Sequence, residues 1–223
     1  PTSFTSCGPG SSGAEGSAQA EALPACALVS PRRRRQNGAM ETSWRHQFLL
    51  AMPALTGSYF GQTISYLCEH NEDGAMGLVV NRPVDDVTLG DLFDQLEIQG
   101  SAHRATTVLE GGPVQRDRGF VLHSEDVQLE GTLQLAGGLA LSTSREMLAA
   151  IAHDEGPERF LVCVGYAGWG GGQLEGEMAE NAWLTCPANE SILFDTAHRD
   201  RVQHAAAALG IDFNLIGGAA GHA

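Results

Sequence analysis

The stretch Cys68-Glu69-His70-Asn71-Glu72-Asp73-Gly74 gathers a thiol, an imidazole, three carboxylates and an amide within seven residues. Cys68 and His70 stand at i and i+2, which on a regular strand is one face, where a thiolate–imidazole pair is conceivable. Residues two apart on a strand are ~6.5–7 Å apart at Cα. That is too far for a direct hydrogen bond with ordinary rotamers, so a buried cysteine beside a hydrogen-bonded histidine is the simpler expectation. Glu69 with Glu72, or with Glu175, could form a carboxylate pair for acid–base or metal work. Nothing in the spacing demands it. The triplet Glu69-His70-Asn71 also fits a turn locked by its own side chains.

Arg82, between Asn81 and Pro83, is the arginine of most interest. A guanidinium in an acidic chain calls for an internal carboxylate. Glu69 or Glu175 is the expected partner, shielded by Trp169 or Tyr166, in a clasp joining residues 68–83 to residues 165–175. The segment Gly165 to Gly172 reads as a tight strand-to-helix turn around Trp169, a place where an anion could also meet helix amides. It lacks the GxGxxG register. The eight histidines show no HExxH or zinc spacing, no GxSxG is present, and GxxxxGK[ST] is impossible because the chain has no lysine. No complete catalytic set, metal site or cofactor signature emerges.

Three glycine-punctuated segments carry a family resemblance: Cys68 to Gly77 with Asn81-Arg82-Pro83; Gly111-Gly112-Pro113-Val114; and Gly165-Tyr166-Ala167-Gly168-Trp169 through Gln173-Leu174-Glu175. With Phe120-Val121-Leu122-His123 and Gly221-His222-Ala223, the chain from about Phe48 onward resembles the AlgH/YqgE family of bacterial proteins. The resemblance implies a mixed α+β fold with a strongly curved, mostly antiparallel sheet. It also implies a label of transcriptional regulator that rests on genetic association, and no established cofactor. Where the family often has a proline-glycine step after Gly-Trp, this chain has Gly170-Gly171-Gly172, which implies a looser loop.

These residues need elements to hold them. Phe48–Met52 reads as a short buried strand. Thr63–His70 and Ala75–Asn81 read as a hairpin turning at Asn71 to Gly74. Capping-box patterns at Thr88 to Asp91 and Thr143 to Glu146 open helices Leu89–Leu96 and Ser144–His153. Strands are expected at Thr106–Glu110, Gly119–His123, Thr132–Leu135, Leu139–Ser142 and Arg159–Tyr166, with helices at Gln173–Trp183 and Asp200–Leu209. Strands and helices mix without βαβ alternation, so the class is α+β, a single domain over residues 40–223. Residues 1–39, small-residue-rich and aperiodic, read as a disordered leader foreign to the natural chain, with Met40 as the expected start.

All thirteen basic residues are arginine. Four lie in Arg32–Arg35 with only two acids, Glu15 and Glu21, before Met40, so residues 40–223 carry nine arginines against twenty-five acids, a formal −16. Such a charge disfavours direct nucleic-acid binding. Scattered cysteines without a CxxC pair suit a reducing compartment, and no apolar run approaches a membrane span, so a cytoplasmic protein is expected. The leading expectation is a regulatory or interaction protein with an unknown protein or small-molecule partner. Its groove would be lined by Glu69, His70, Asn71, Asn81, Arg82, Gly111, Gly112, Tyr166, Trp169, Gln173 and Glu175. A hydrolytic enzyme using Glu69 or His70 as general base, and a DNA-binding regulator, are the alternatives.

Overall fold

Alternation of buried and polar positions gives a computed structural model in which ten strands form one curled, mostly antiparallel sheet; residues 43–213 are described. The expected leader, residues 1–39, and the terminal Gly221-His222-Ala223 fall outside the described residues. The strands are β1 (Gln47–Ala51), β2 (Ile64–Asn71), β3 (Gly74–Val79), β4 (Pro83–Thr88), β5 (Thr107–Glu110), β6 (Val114–Ser124), β7 (Leu133–Gln134), β8 (Leu139–Ser142), β9 (Phe160–Gly170) and β10 (Trp183–Pro187). Their order is β10-β1-β2-β3-β9-β6-β8-β7, with β5 running parallel beside β9 and β4 pairing β5. The helices are α1 (Leu89–Gln95), α2 (Arg145–Ala152), α3 (Gln173–Ala179) and α4 (Arg201–Ala208).

Both helix starts follow from their caps. Asp91 accepts from the Thr88 amide at 2.8 Å and hydroxyl at 2.6 Å, and Ser144 accepts from the Met147 amide at 3.2 Å. One face of the sheet holds Phe48, Tyr66, Leu122 and Cys163 under α4. On the opposite face, α1 and α2 cover Val121 and Val162, while Leu67, Trp169 and Trp183 pack with Leu174 of α3.

β9 is the spine. Its first half pairs β5 and β6, and its last residues pair β3. The change falls at Gly165, whose φ of +70° suits glycine. A Cβ on Gly111 would strike the Gly165 carbonyl, and one on Gly112 the Tyr166 carbonyl, so these glycines let the chain leaving β5 press against the bend. Bulges between Leu67 and Glu69 of β2 and between Val114 and Gly119 of β6 add curvature.

Three expectations are corrected and one strand is added. Gly165 to Gly172 is not a turn around Trp169, because β9 continues through Gly170. The helix expected over Gln173–Trp183 ends at Ala179, after which Trp183 opens β10 against β1. β6 begins at Val114, well before Gly119. β4 forms despite Pro83, which tolerates the strand's first position on an edge.

Candidate functional site

The bulge in β2 decides where the hairpin's polar residues go. By skipping Cys68 in the register, it sets His70 opposite Ala75, on the face of Leu67 and Trp169, while Cys68 stays with Tyr66 on the other face. The shared face expected of Cys68 and His70 does not exist. His70 Nδ1 accepts from the Trp44 amide at 3.2 Å and its Nε2 donates to Glu175 Oε1 at 2.8 Å, which fixes the neutral Nε2–H tautomer. The Trp44 ring lies over the imidazole, 4.9 Å between centroids. Burial alone would raise the Glu175 carboxyl, but its backbone amide and the His70 hydrogen bond hold it below the ordinary range. Glu69 pairs with Arg45 at 3.6 Å, while Glu175 is taken by His70. Asn71 Oδ1 accepts from the Asp73 amide at 2.8 Å, the Asx turn the spacing anticipated.

A clasp between the hairpin and the 165–175 segment is therefore present, through β3–β9 pairing and through His70–Glu175. Arg82 takes no part in it. Its Nη1 donates to the Tyr59 carbonyl at 2.7 Å, its Nη2 to the Gly61 carbonyl at 3.3 Å, and it lies 4.8 Å over the Tyr59 ring. Its nearest carboxylate is Glu110, at 3.9 Å, rather than Glu69 or Glu175. Asn81 anchors the same loop, accepting from the Ile64 amide and donating to the Gln62 carbonyl, each at 3.0 Å.

Trp169 and Tyr166 are interior side chains. Tyr166 packs on Phe120. The indoles of Trp169 and Trp183 donate to one oxygen of Glu177, at 3.0 and 2.7 Å, and Gln173 steadies the other oxygen at 2.9 Å. Glu177 was not anticipated, although its i+4 spacing from Gln173 on α3 was a usable signal.

The expected groove residues thus divide: Tyr166 and Trp169 are interior, Gly111 and Gly112 lie at the β5–β9 junction, and Asn81 is bonded to Ile64 and Gln62. Glu69, His70, Asn71, Gln173 and Glu175 surround the hairpin clasp. Arg82 opens instead onto a cleft of about 420 Å³ lined by Arg82, Pro83, Val84, Asp85, Glu110 and Arg116. Arg116 extends from the bulged stretch of β6, is 66% exposed, and donates to Glu110 Oε1. Beside this network the Tyr59 hydroxyl is buried without a hydrogen-bond partner. Burial, then the Glu110 charge, push its pKa up to about 12 against the pull of Arg82 and Arg116. Sequence reasoning missed Tyr59, Glu110 and Arg116, because it looked for the partner of Arg82 inside the glycine motifs.

The three cysteines among the described residues, and Arg201, are buried. Burial pushes the Cys163 thiol up to about 12 and Cys186 up to about 11, and raises Cys68 as well. Arg201, buried, donates to the carbonyls of Thr196 and Val80, and burial lowers it to about 10. Among the described residues, no group of three His, Cys, Asp or Glu side chains is placed to hold a metal ion, and no helix is long and apolar enough to cross a membrane.

Comparison with known proteins agrees with this architecture. A family model described as AlgH-like matches residues 48–214. A UPF0301 protein of Stutzerimonas stutzeri is 50% identical over 182 residues, covering 80% of this chain and 95% of that protein. The protein AlgH of Pseudomonas aeruginosa is 49% identical over 185 residues, covering 82% and 97%. The solution structure of Pseudomonas aeruginosa AlgH superposes with a TM-score of 0.69 at 47% identity, covering 84% of this chain and all of that one. A crystal structure of a Corynebacterium diphtheriae protein shares the fold at 18% identity, with a TM-score of 0.53 and coverage of 77% and 89%.

Proposed function

The chain belongs to the AlgH-like family, and we propose that it is a regulatory binding protein that recognises a ligand or partner at the Arg82–Glu110–Arg116 cleft and performs no chemistry of its own. The observation that carries this reading is the contrast between the cleft and the groups an enzyme would use. A general base needs a lone pair directed at substrate. Both nitrogens of His70 are committed, to Trp44 and Glu175, and Glu69 faces Arg45. Among the described residues the thiols, Cys68, Cys163 and Cys186, are buried and hold their protons. The cleft, by contrast, is concave, of a volume common for small-molecule sites, and edged by an exposed arginine.

The reading is tested by recording amide spectra of the full chain against a library of small metabolites. Saturable shifts at residues 82–85, 110 and 116 are expected. Shifts confined to the His70–Glu175 clasp, or turnover of any library member lost in His70→Gln, would overturn it.

A further inference from the structure

We propose that the cleft takes a small ligand by its carboxylate or phosphate group, and that Glu110 is the internal group such a ligand displaces from Arg116. The inference rests on the binding reading above and gives it a chemical class. The two arginines play different parts. Arg82 is fixed: two backbone carbonyls hold its guanidinium, and the Tyr59 ring backs it. Arg116 is not held in this way. It projects from a bulge in which Gln115 has a φ of +47°, and its guanidinium ends on the carboxylate of Glu110, whose side chain is only 16% exposed. A guanidinium that ends on a carboxylate through one nitrogen, at the wall of a cleft, keeps further donors for a ligand oxyanion.

The charged groups acting on the buried Tyr59 hydroxyl, Glu110, Arg82 and Arg116, are the cleft's own, although Tyr59 itself does not line the cleft. The lining also limits the ligand. Asp85 on the β4 side, with Glu110 displaced but still near, repels a second negative group, so a compact ligand with one anionic head fits and a polyanion does not.

The test uses the full chain, wild type, Glu110→Gln and Arg116→Ala, titrated with sodium acetate, inorganic phosphate and, at matched ionic strength, sodium chloride. Arginine side-chain N–H signals and the amides of residues 82–85 and 110–116 are followed. Saturable shifts with acetate or phosphate and none with chloride are expected, and whichever saturates at lower concentration identifies the head group. Glu110→Gln removes the competing charge and tightens binding by about tenfold, the equivalent of one charge-assisted hydrogen bond. Arg116→Ala abolishes binding; at an exposed position it leaves the fold intact, so it decides the matter even if Glu110→Gln is unstable. Shifts that match chloride, or unchanged affinity in a folded Glu110→Gln variant, overturn the proposal. Metabolite shifts in the cleft that Arg116→Ala removes, with no response to either anion, would overturn it too while leaving the binding reading intact.

Discussion

Arg82 shows how a residue can be singled out correctly for a partner it does not have. Its neighbours in sequence suggested a carboxylate in another glycine motif, yet its main acceptors are the carbonyls of Tyr59 and Gly61, which no side-chain pattern advertises. Arg82→Ala leaves both carbonyls without that donor and should lower stability by about 1–3 kcal/mol. Arg82→Lys should restore only part, because an ammonium lacks the planar fork that spans two acceptors and stacks on the ring. Thermal melting of the three proteins checks the order. His123 gives a second prediction. It is fully buried, its Nδ1 donates to the Ser124 carbonyl at 2.7 Å, and its Nε2 has no partner. Burial lowers its pKa below the ordinary 6.5, against the opposing pull of the Ser124 hydrogen bond and of Asp126. As pH falls below about 6.5 the unfolded chain takes up a proton that the folded chain refuses, so stability declines from there until the folded histidine also titrates. Denaturant melts between pH 7.5 and 5.5 should show this decline in the wild type and its loss in His123→Gln.

At the scale of elements, much was legible where local chemistry is self-contained. The capping box at Thr88, the Asn71–Gly74 turn and the short buried strand near Phe48 are all present, and the second helix starts where expected, although its cap is Ser144 and not Thr143. Strand faces were legible only up to the first bulge. At Leu67–Glu69 and at Gly165 the alternation slips, and the residues beyond change sides for reasons of register that sequence period does not carry. β10 was hidden because Trp183 continues an apolar pattern begun on α3, and only its pairing with β1 makes it a strand. The glycines of the second motif were placed in a ligand groove, but their role is close approach of two backbones. Gly112→Ala should therefore strongly destabilise the protein, since its methyl would overlap the Tyr166 carbonyl. By contrast, Gly119→Ala, with open space around it, should melt near the wild type. Equal melting of the two variants would show that the β5–β9 junction is looser than the geometry requires.

For the molecule as a whole, the family likeness, the α+β class and Arg82 were readable, while the rest of the cleft was not, because it is assembled from β4, the end of β5 and a bulge in β6, three stretches far apart in the chain. The charge of −16 over residues 40–223 sets arginine-lined concavities against an acidic background, which favours selective capture of one small anion over a nucleic-acid backbone. Binding to the folded state alone raises the melting temperature by mass action. The most direct test of the account is therefore to melt the full chain, wild type and Arg116→Ala, with and without the small-molecule fraction of a bacterial extract. A rise in the melting temperature of the wild type that Arg116→Ala lacks is the predicted result. No rise in the wild type, or the same rise in both proteins, would contradict the claim that this protein works through the Arg82–Glu110–Arg116 cleft.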